Sequence, residues 1–145
     1  MKTAIGLMSG TSMDGIDAAL LRTDGREAVQ MGVAIDLPYA PATRKRIEAA
    51  LEEAKAITQR DERPGGIAEL ETELTELHAQ ATFALLDKAK LTPADIDLLG
   101  FHGQTILHRP DAALTVQIGD GATLAKATGI DTVFDMRAAD MIAGG

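Results

Sequence analysis

The chain contains no cysteine among its 145 residues. That absence removes disulfides, thiolate nucleophiles and cysteine metal sites together, and it fits a reducing compartment. Basic residues are in the minority, with 14 Lys and Arg against 22 Asp and Glu, for a formal net charge of −8 and a pI near 4.8. A nucleic-acid footprint shows as a basic patch or stripe, so nucleic acid is not an expected partner, and nothing favours an anionic membrane surface. No run approaches the roughly 18 apolar residues of a membrane span. The opening MKTAIGLMSGTS has a single Lys and too short an apolar stretch for a signal peptide. The cytoplasm is the default expectation. His78, His102 and His108 are scattered without zinc spacing. Internal repeats and low-complexity tracts are also missing.

What remains is the material of one α/β domain. Two apolar runs flank the stretch Ser9 to Asp17, and Asp14-Gly15 is a turn dipeptide because Gly reaches positive φ without steric cost, so the chain is expected to open with a β-hairpin. Residues 28–40 alternate loosely enough for a third strand, ended by Pro38 and Pro41. Ile47, Leu51, Ala54 and Ile57 predict a helix over about 42–58, and Leu70, Leu74, Leu77, Ala81 and Leu85 predict a second over about 67–90. A short turn starting at Thr92-Pro93 is followed by an apolar strand from Ile96 to Phe101 and a second strand over 114–120. Asp120 is placed to cap a helix over 121–128 that Gly129 terminates, and IDTVFDMR supplies a last short strand. This order predicts a mixed sheet. The final DMIAGG reads as the start of another apolar or amphipathic segment, so the sequence looks interrupted.

Four constellations carry chemistry, each with an ordinary structural alternative. At the hairpin tip, Gly10, Thr11, Ser12 and Gly15 offer converging N–H and O–H donors for an anion, although composition by itself favours a plain Ser/Gly turn. The tip is neither a Walker A loop nor a dinucleotide fingerprint. Asp14 and Asp17 stand where they could approach a metal–phosphate or cap their own backbone. In GFHGQTILHRP, a strand end presents His102, Gln104 and Thr105, a set able to grip sugar hydroxyls or simply to satisfy a turn, while His108 and Arg109 read as surface residues. At VQIGDGATL the N–H groups of a helix N-terminus face Asp120, which favours a structural cap. In FDMRAAD, Arg137 presents a planar fork flanked by Asp135 and Asp140, suited either to a substrate anion or to a surface ion-pair cluster.

Together GLMSGTSMDGIDAAL, GFHGQT, TVQIGDGATLAKATGI and DMRAADMIAGG resemble, in that order, the anhydro-N-acetylmuramic acid kinases of bacterial cell-wall recycling. The resemblance runs from residue 4 to the last, although residues 40–90 match in pattern more than in identity. This chain has Phe101 where the family usually has Ser, and Phe134-Asp135-Met136-Arg137 in place of Ala-Asp-Phe-Arg. The resemblance implies a ribonuclease-H-like domain of the actin-like ATPase and sugar kinase superfamily. In that fold the first hairpin reaches the nucleotide phosphates, so Gly10, Thr11, Ser12, Met13, Asp14, Gly15, Ile16 and Asp17 become the ATP-binding stretch. His102, Gln104, Thr105, Asp135, Arg137 and Asp140 become substrate-cleft residues. Superfamily relatives often carry an Asp where Met8 stands here, so the metal ligands stay open. The implied reaction opens the 1,6-anhydro ring with water and phosphorylates the oxygen at carbon 6, using ATP and Mg²⁺. The family's general-base Asp is expected beyond Gly145, in a second domain that these residues do not include. Residues 1–145 then form an incomplete N-terminal domain, inactive alone, with a homodimer left open. The alternatives are a non-catalytic binding domain and an actin-like kinase for another sugar.

Overall fold

A computed structural model describes residues 1–145. Strand β1 (Lys2–Ser9) turns back into β2 (Gly15–Thr23), with register from Lys2↔Thr23 to Ser9↔Ile16, and β3 (Val29–Pro38) continues the antiparallel meander. The expected hairpin and third strand are therefore present. Alternation sets which face is buried: Ile5, Leu7 and Ser9 point inward on β1, as do Ile16 and Ala18 on β2, while Met8 is 52% exposed. A one-residue slip would send Ile5 and Leu7 to solvent, at about 1.5–3 kcal/mol for each large aliphatic side chain.

Helix α1 (Pro41–Glu53) begins with Pro at its first position, where the missing N–H costs nothing. It ends four residues before Ile57, sooner than periodicity predicts. Ala54–Ala56 tighten into a 3₁₀ turn and Ile57 is extended (ψ 130°), yet Ile57 is fully buried. The apolar period thus reports burial here and not helix. Helix α2 (Ile67–Ala89) matches its expected span and buries Leu70, Leu74, Ala81 and Leu85.

After the 3₁₀ turn Pro93–Asp95, closed by a Thr92/Asp95 capping box, comes β4 (Leu98–Arg109). Strand β4 starts two residues after the predicted point and runs eight beyond Phe101. Its first half lies parallel to β1 and, on the other side, to the short β6 (Thr132–Phe134); its second half pairs antiparallel with β5 (Leu114–Ile118). One strand thus joins both parts of a six-stranded mixed sheet of order β3-β2-β1-β4-β5. Helix α3 (Gly121–Thr128) forms as predicted. The last strand is shorter than IDTVFDMR, and helix α4 (Met136–Ile142) begins four residues before the segment expected at DMIAGG.

One core cluster joins Ile5, Leu7, Leu99 and Phe101 of the sheet to Ala81 and Leu85 of α2 and Leu124 of α3. A second joins Ile47 of α1 and Leu70 and Leu74 of α2 to Ile106, Val116 and Ile118. Tyr39, between β3 and α1, packs against both. No helix is long and apolar enough to cross a membrane.

Candidate functional site

The hairpin tip departs from the chain's regular bonding within a few residues. Gly10 to Met13 form a turn closed by the Met13 N–H to the Gly10 carbonyl at 3.1 Å. The residue in the left-handed region is Met13 (φ 56°), not Gly15 as the Asp-Gly dipeptide suggested. Gly15 is demanded by space instead: a Cβ there would lie 2.8 Å from Pro38 Cα, because β3 passes directly beside it. At Gly10 a Cβ would meet only Ser12 Oγ, at 3.8 Å, so that position is open toward solvent. The N–H groups of Thr11 and Ser12 donate to no protein atom. With the two exposed hydroxyls they form a concave set of free donors suited to an anion.

Beneath the turn, β4 carries a bulge. Two steps along β1 (Leu7 to Ser9) correspond to three along β4 (Phe101 to Gln104), and Gly103 absorbs the extra residue at φ 73°. A Cβ on Gly103 would lie 2.7 Å from Ile118 O, so glycine is required where β5 closes in. His102, Gly103, Gln104 and Thr105 were expected at a strand end and instead lie mid-strand, re-aimed by this bulge. His102 and Thr105 reach a cavity of about 320 Å³ shared with Met8, Ser9, Gly10, Thr11, Ser12 and Arg137. Gln104 does not: it is 1% exposed, and its carboxamide bonds Ser9 Oγ and faces the Gly10 carbonyl at 3.4 Å. It acts on the turn from below. Gln117 donates to Thr105 Oγ1 at 3.1 Å, leaving the Thr105 hydroxyl proton available.

The FDMRAAD cluster separates in space. Asp135, at the start of α4 with φ 58°, takes a two-pronged bond from Arg60 at 2.6 and 2.8 Å rather than pairing with Arg137. Arg60 also donates to Thr115 O at 3.2 Å, tying the α1–α2 connection to the sheet. With His102, Gly103, Gly119 and Phe134 this pair lines a polar cavity of about 260 Å³ that shares His102 with the first. Sequence reading missed Arg60 because TQRDERPGG carries no periodicity and registered only as a helix break. Arg137 alone of its cluster reaches the hairpin-tip cavity. The Asp140 carbonyl accepts from the Gly145 N–H at 2.8 Å, and this residue lines neither cavity. Asp120 caps α3 as expected, accepting from Thr123 N at 3.0 Å and Thr123 Oγ1 at 2.7 Å. Those two bonds hold its carboxyl below the usual value of 3.8.

Asp14, Asp17 and Asp36 share a cavity of about 400 Å³ with Gly10 and Ser12 on the other side of the tip. Asp14 lies 3.6 Å from Arg44 of α1, and Asp17 stands opposite Asp36 in the β2–β3 register. No group of three or more His, Cys, Asp or Glu could by itself hold a metal ion. Asp14 and Asp17 beside the turn are the kind of donor that Mg²⁺ uses, one or two carboxylates completed by water and substrate phosphates.

Placed at the carboxyl end of β1 beside a parallel strand, where open α/β sheets bind ligands, these features make a candidate phosphate and polyol site. Comparison with known proteins names it further. The family described as Anhydro-N-acetylmuramic acid kinase matches residues 2–145. The chain belongs to that family. A relative from Agrobacterium fabrum named anhydro-N-acetylmuramic acid kinase is 59% identical over 145 residues, all of this chain and 39% of its own length. One of the same name from Azorhizobium caulinodans is 58% identical over 142 residues, 98% of this chain and 38% of its own. A third, from Rhizobium etli, is 55% identical over 145 residues, again the whole of this chain and 39% of that protein. The chain therefore spans about two fifths of the length of these curated relatives. The matched span in this kinase family contains the hairpin tip, the β4 bulge and the start of α4 together.

Proposed function

We propose that the chain is the phosphate-holding N-terminal domain of an ATP-dependent kinase acting on anhydro-N-acetylmuramic acid. The observation that carries this reading is the convergence of Gly10–Ser12, His102, Thr105 and Arg137 on one cavity. Three parts of the sequence, about 35 to 125 residues apart, supply free backbone donors, hydroxyls, an imidazole and a guanidinium to a single volume. That donor set suits a polyphosphate beside a hydroxylated acceptor. The antiparallel β1–β2–β3 meander followed by parallel β4 and β6 supports the ribonuclease-H-like fold of actin-like ATPases.

In this reading Gly10, Thr11, Ser12, Asp14, Gly15 and Asp17 face the nucleotide, whereas Ile16, expected in the same stretch, is buried in the core and only supports the hairpin. The Thr11 and Ser12 N–H groups receive phosphate oxygens, and Arg137 offsets their charge. His102 and Thr105 orient the sugar. Asp14 and Asp17 are the carboxylates that would hold Mg²⁺ through the phosphates, where the ion neutralises charge on the transferring phosphoryl group. Gln104 serves the site by holding the turn, and Asp135 by fixing Arg60. Water adds across the anhydro bridge, and ATP gives its γ-phosphoryl group to the oxygen released at carbon 6, yielding N-acetylmuramic acid 6-phosphate and ADP. An opposing domain supplies the general base and closes the cleft against water. The reaction belongs in the cytoplasm, where ATP is available.

The test uses a protein carrying this sequence at the full length of its relatives, incubated with the anhydro sugar, ATP and Mg²⁺ and followed by ³¹P NMR. A sugar 6-phosphate resonance is the expected product. Gly10→Val should abolish ATP binding while leaving the fold intact, since the only neighbour of its Cβ is Ser12 Oγ at 3.8 Å. Unchanged ATP affinity in that variant contradicts the assignment of the turn.

A further inference from the structure

Tyr39 touches the tip at both of its ends. Its backbone N–H donates to the Asp14 carbonyl at 2.9 Å, where the turn leaves for β2. Its hydroxyl lies 2.6 Å from Ser9 Oγ, where β1 enters the turn. The direction of each bond in the buried chain that follows can be worked out from donor and acceptor inventories. Gln104 Nε2 faces two backbone carbonyls, Gly10 O at 3.4 Å and Thr105 O at 3.5 Å, which only accept. Its Oε1 is therefore the atom beside Ser9, and it accepts the single hydroxyl proton of Ser9. With that proton committed, Ser9 Oγ receives from Tyr39, and the phenol is the donor. The relay runs Tyr39 O–H to Ser9 Oγ–H to Gln104 carbonyl, and the Gln104 amide then faces Gly10 O, the atom that also closes the turn with Met13 N–H.

The consequence is a turn whose carbonyls are held inward. Gly10 O and Asp14 O both accept from donors within the fold, so the Thr11 N–H, antiparallel to the Gly10 carbonyl in the same trans peptide, points the opposite way, and neither it nor the Ser12 N–H has a protein acceptor. Tyr39 is itself anchored by both core clusters, so its position is set by the packing of α1, α2 and the sheet. Burial keeps the phenol above its ordinary value of 10.0, so it stays protonated and donating throughout the neutral range.

We propose that Tyr39 is a positioning residue that, through Ser9 and Gln104, holds the Gly10–Asp14 turn in its anion-receiving shape and so couples core packing to nucleotide affinity. The coupling to nucleotide rests on the kinase reading above; the hold on the turn does not.

Two measurements on the 145-residue chain separate these. Tyr39→Phe keeps the ring packing and removes only the hydroxyl. Amide hydrogen exchange at Met13, whose N–H is tied to Gly10 O, should accelerate at least fivefold in this variant, while the amides of Leu85 and Leu99 exchange as before. Titration with ATP, followed by the Thr11 and Ser12 amide resonances, should show at least a fivefold weaker affinity with no matching drop in thermal midpoint. Ser9→Ala should reproduce both effects, and the Tyr39→Phe/Ser9→Ala double variant should be no worse than Ser9→Ala alone, because the two act as one unit. Met13 exchange within twofold of the unsubstituted chain in Tyr39→Phe overturns the proposal. Accelerated exchange that is equal at Leu85 and Leu99 also overturns it, since that reports general loosening. If the unsubstituted chain shows no ATP response at Thr11 or Ser12, the titration is repeated on the sequence at the full length of its relatives, where silence overturns the kinase reading; Met13 exchange decides the relay in either case.

Discussion

Lowering the pH from neutral toward 5 should destabilise this fold through one residue, His78. Its side chain is fully buried on α2, with Nδ1 2.6 Å from the Leu74 carbonyl and the ring edge-on to Phe101 at a centroid distance of 4.8 Å. A carbonyl only accepts, so Nδ1 carries the proton of the neutral ring and Nε2 is the site left to protonate. Nε2 has no partner. Burial, the dominant effect, pushes the imidazole from 6.5 down to about 4 against a smaller opposing contribution from the Leu74 carbonyl. The folded state therefore binds this proton less tightly than the unfolded chain. Stability is complete above about pH 6.5 and falls as pH drops toward the folded value. At pH 5 the unfolded site is almost fully protonated and the folded site almost fully neutral, a loss of about 2 kcal/mol that grows to about 3 kcal/mol below pH 4. With a urea m-value of about 2 kcal/mol/M, the unfolding midpoint should fall by about 1 M between pH 7.5 and 5. Asp24, Glu62, Asp95, Asp97 and Asp120 are all held below their ordinary values by hydrogen bonds, so they also lose stabilisation on acidification. Their loss begins near 3.8, or 4.5 for Glu62, which leaves the window above pH 5 to the histidine. In His78→Leu the midpoint should be nearly flat across that window. A shift below about 0.3 M in the unsubstituted chain, or an equal shift in both proteins, refutes the reasoning.

Three further outcomes can be checked directly. Gly15→Ala should cost about 1–3 kcal/mol, lowering the thermal midpoint by about 3–10 °C, because the new methyl meets the β3 backbone; Gly10→Val, with open space around its Cβ, should melt close to the unsubstituted protein. Asp120→Ala should lose about 1 kcal/mol of stability in urea unfolding by removing the α3 cap, and Asp120→Ser should recover most of it. In the proposed kinase, with this sequence at the full length of its relatives, Arg137→Ala should reduce turnover at unchanged thermal midpoint, whereas Asp140→Asn, which lines neither cavity, should have the smaller effect on both turnover and substrate affinity; the reverse order would move the cleft away from the hairpin tip.

Much of the architecture was legible because local rules and burial agreed. Helix α2 carries an uninterrupted apolar stripe and helix α3 a matched cap at each end, and both formed at their expected bounds. Where the two disagreed, periodicity misled. Ile57 continues the apolar spacing of α1 but is buried from an extended segment, and β4 runs past Phe101 because Ser9 of β1 and then β5 pair with its second half. Strand pairing of that kind depends on partners up to about 95 residues away and leaves no local trace. The same limit applies to the site. SGTSMDG announced a donor-rich turn, but nothing near Tyr39 or Arg60 in the sequence indicates that one holds this turn or that the other holds Asp135.

By itself, then, the sequence determined the family, through four blocks in series, and the hairpin tip, its donors and the α3 cap, each of which depends on residue types within a few positions of one another. The tertiary structure alone decided that Gln104 lies under the turn, that Arg137 faces it while Asp135 and Asp140 go elsewhere, and that Gly15 is needed for space. Those are consequences of which strands meet across the sheet and how closely their backbones approach, and a contact made through space is specified only when the whole core packs.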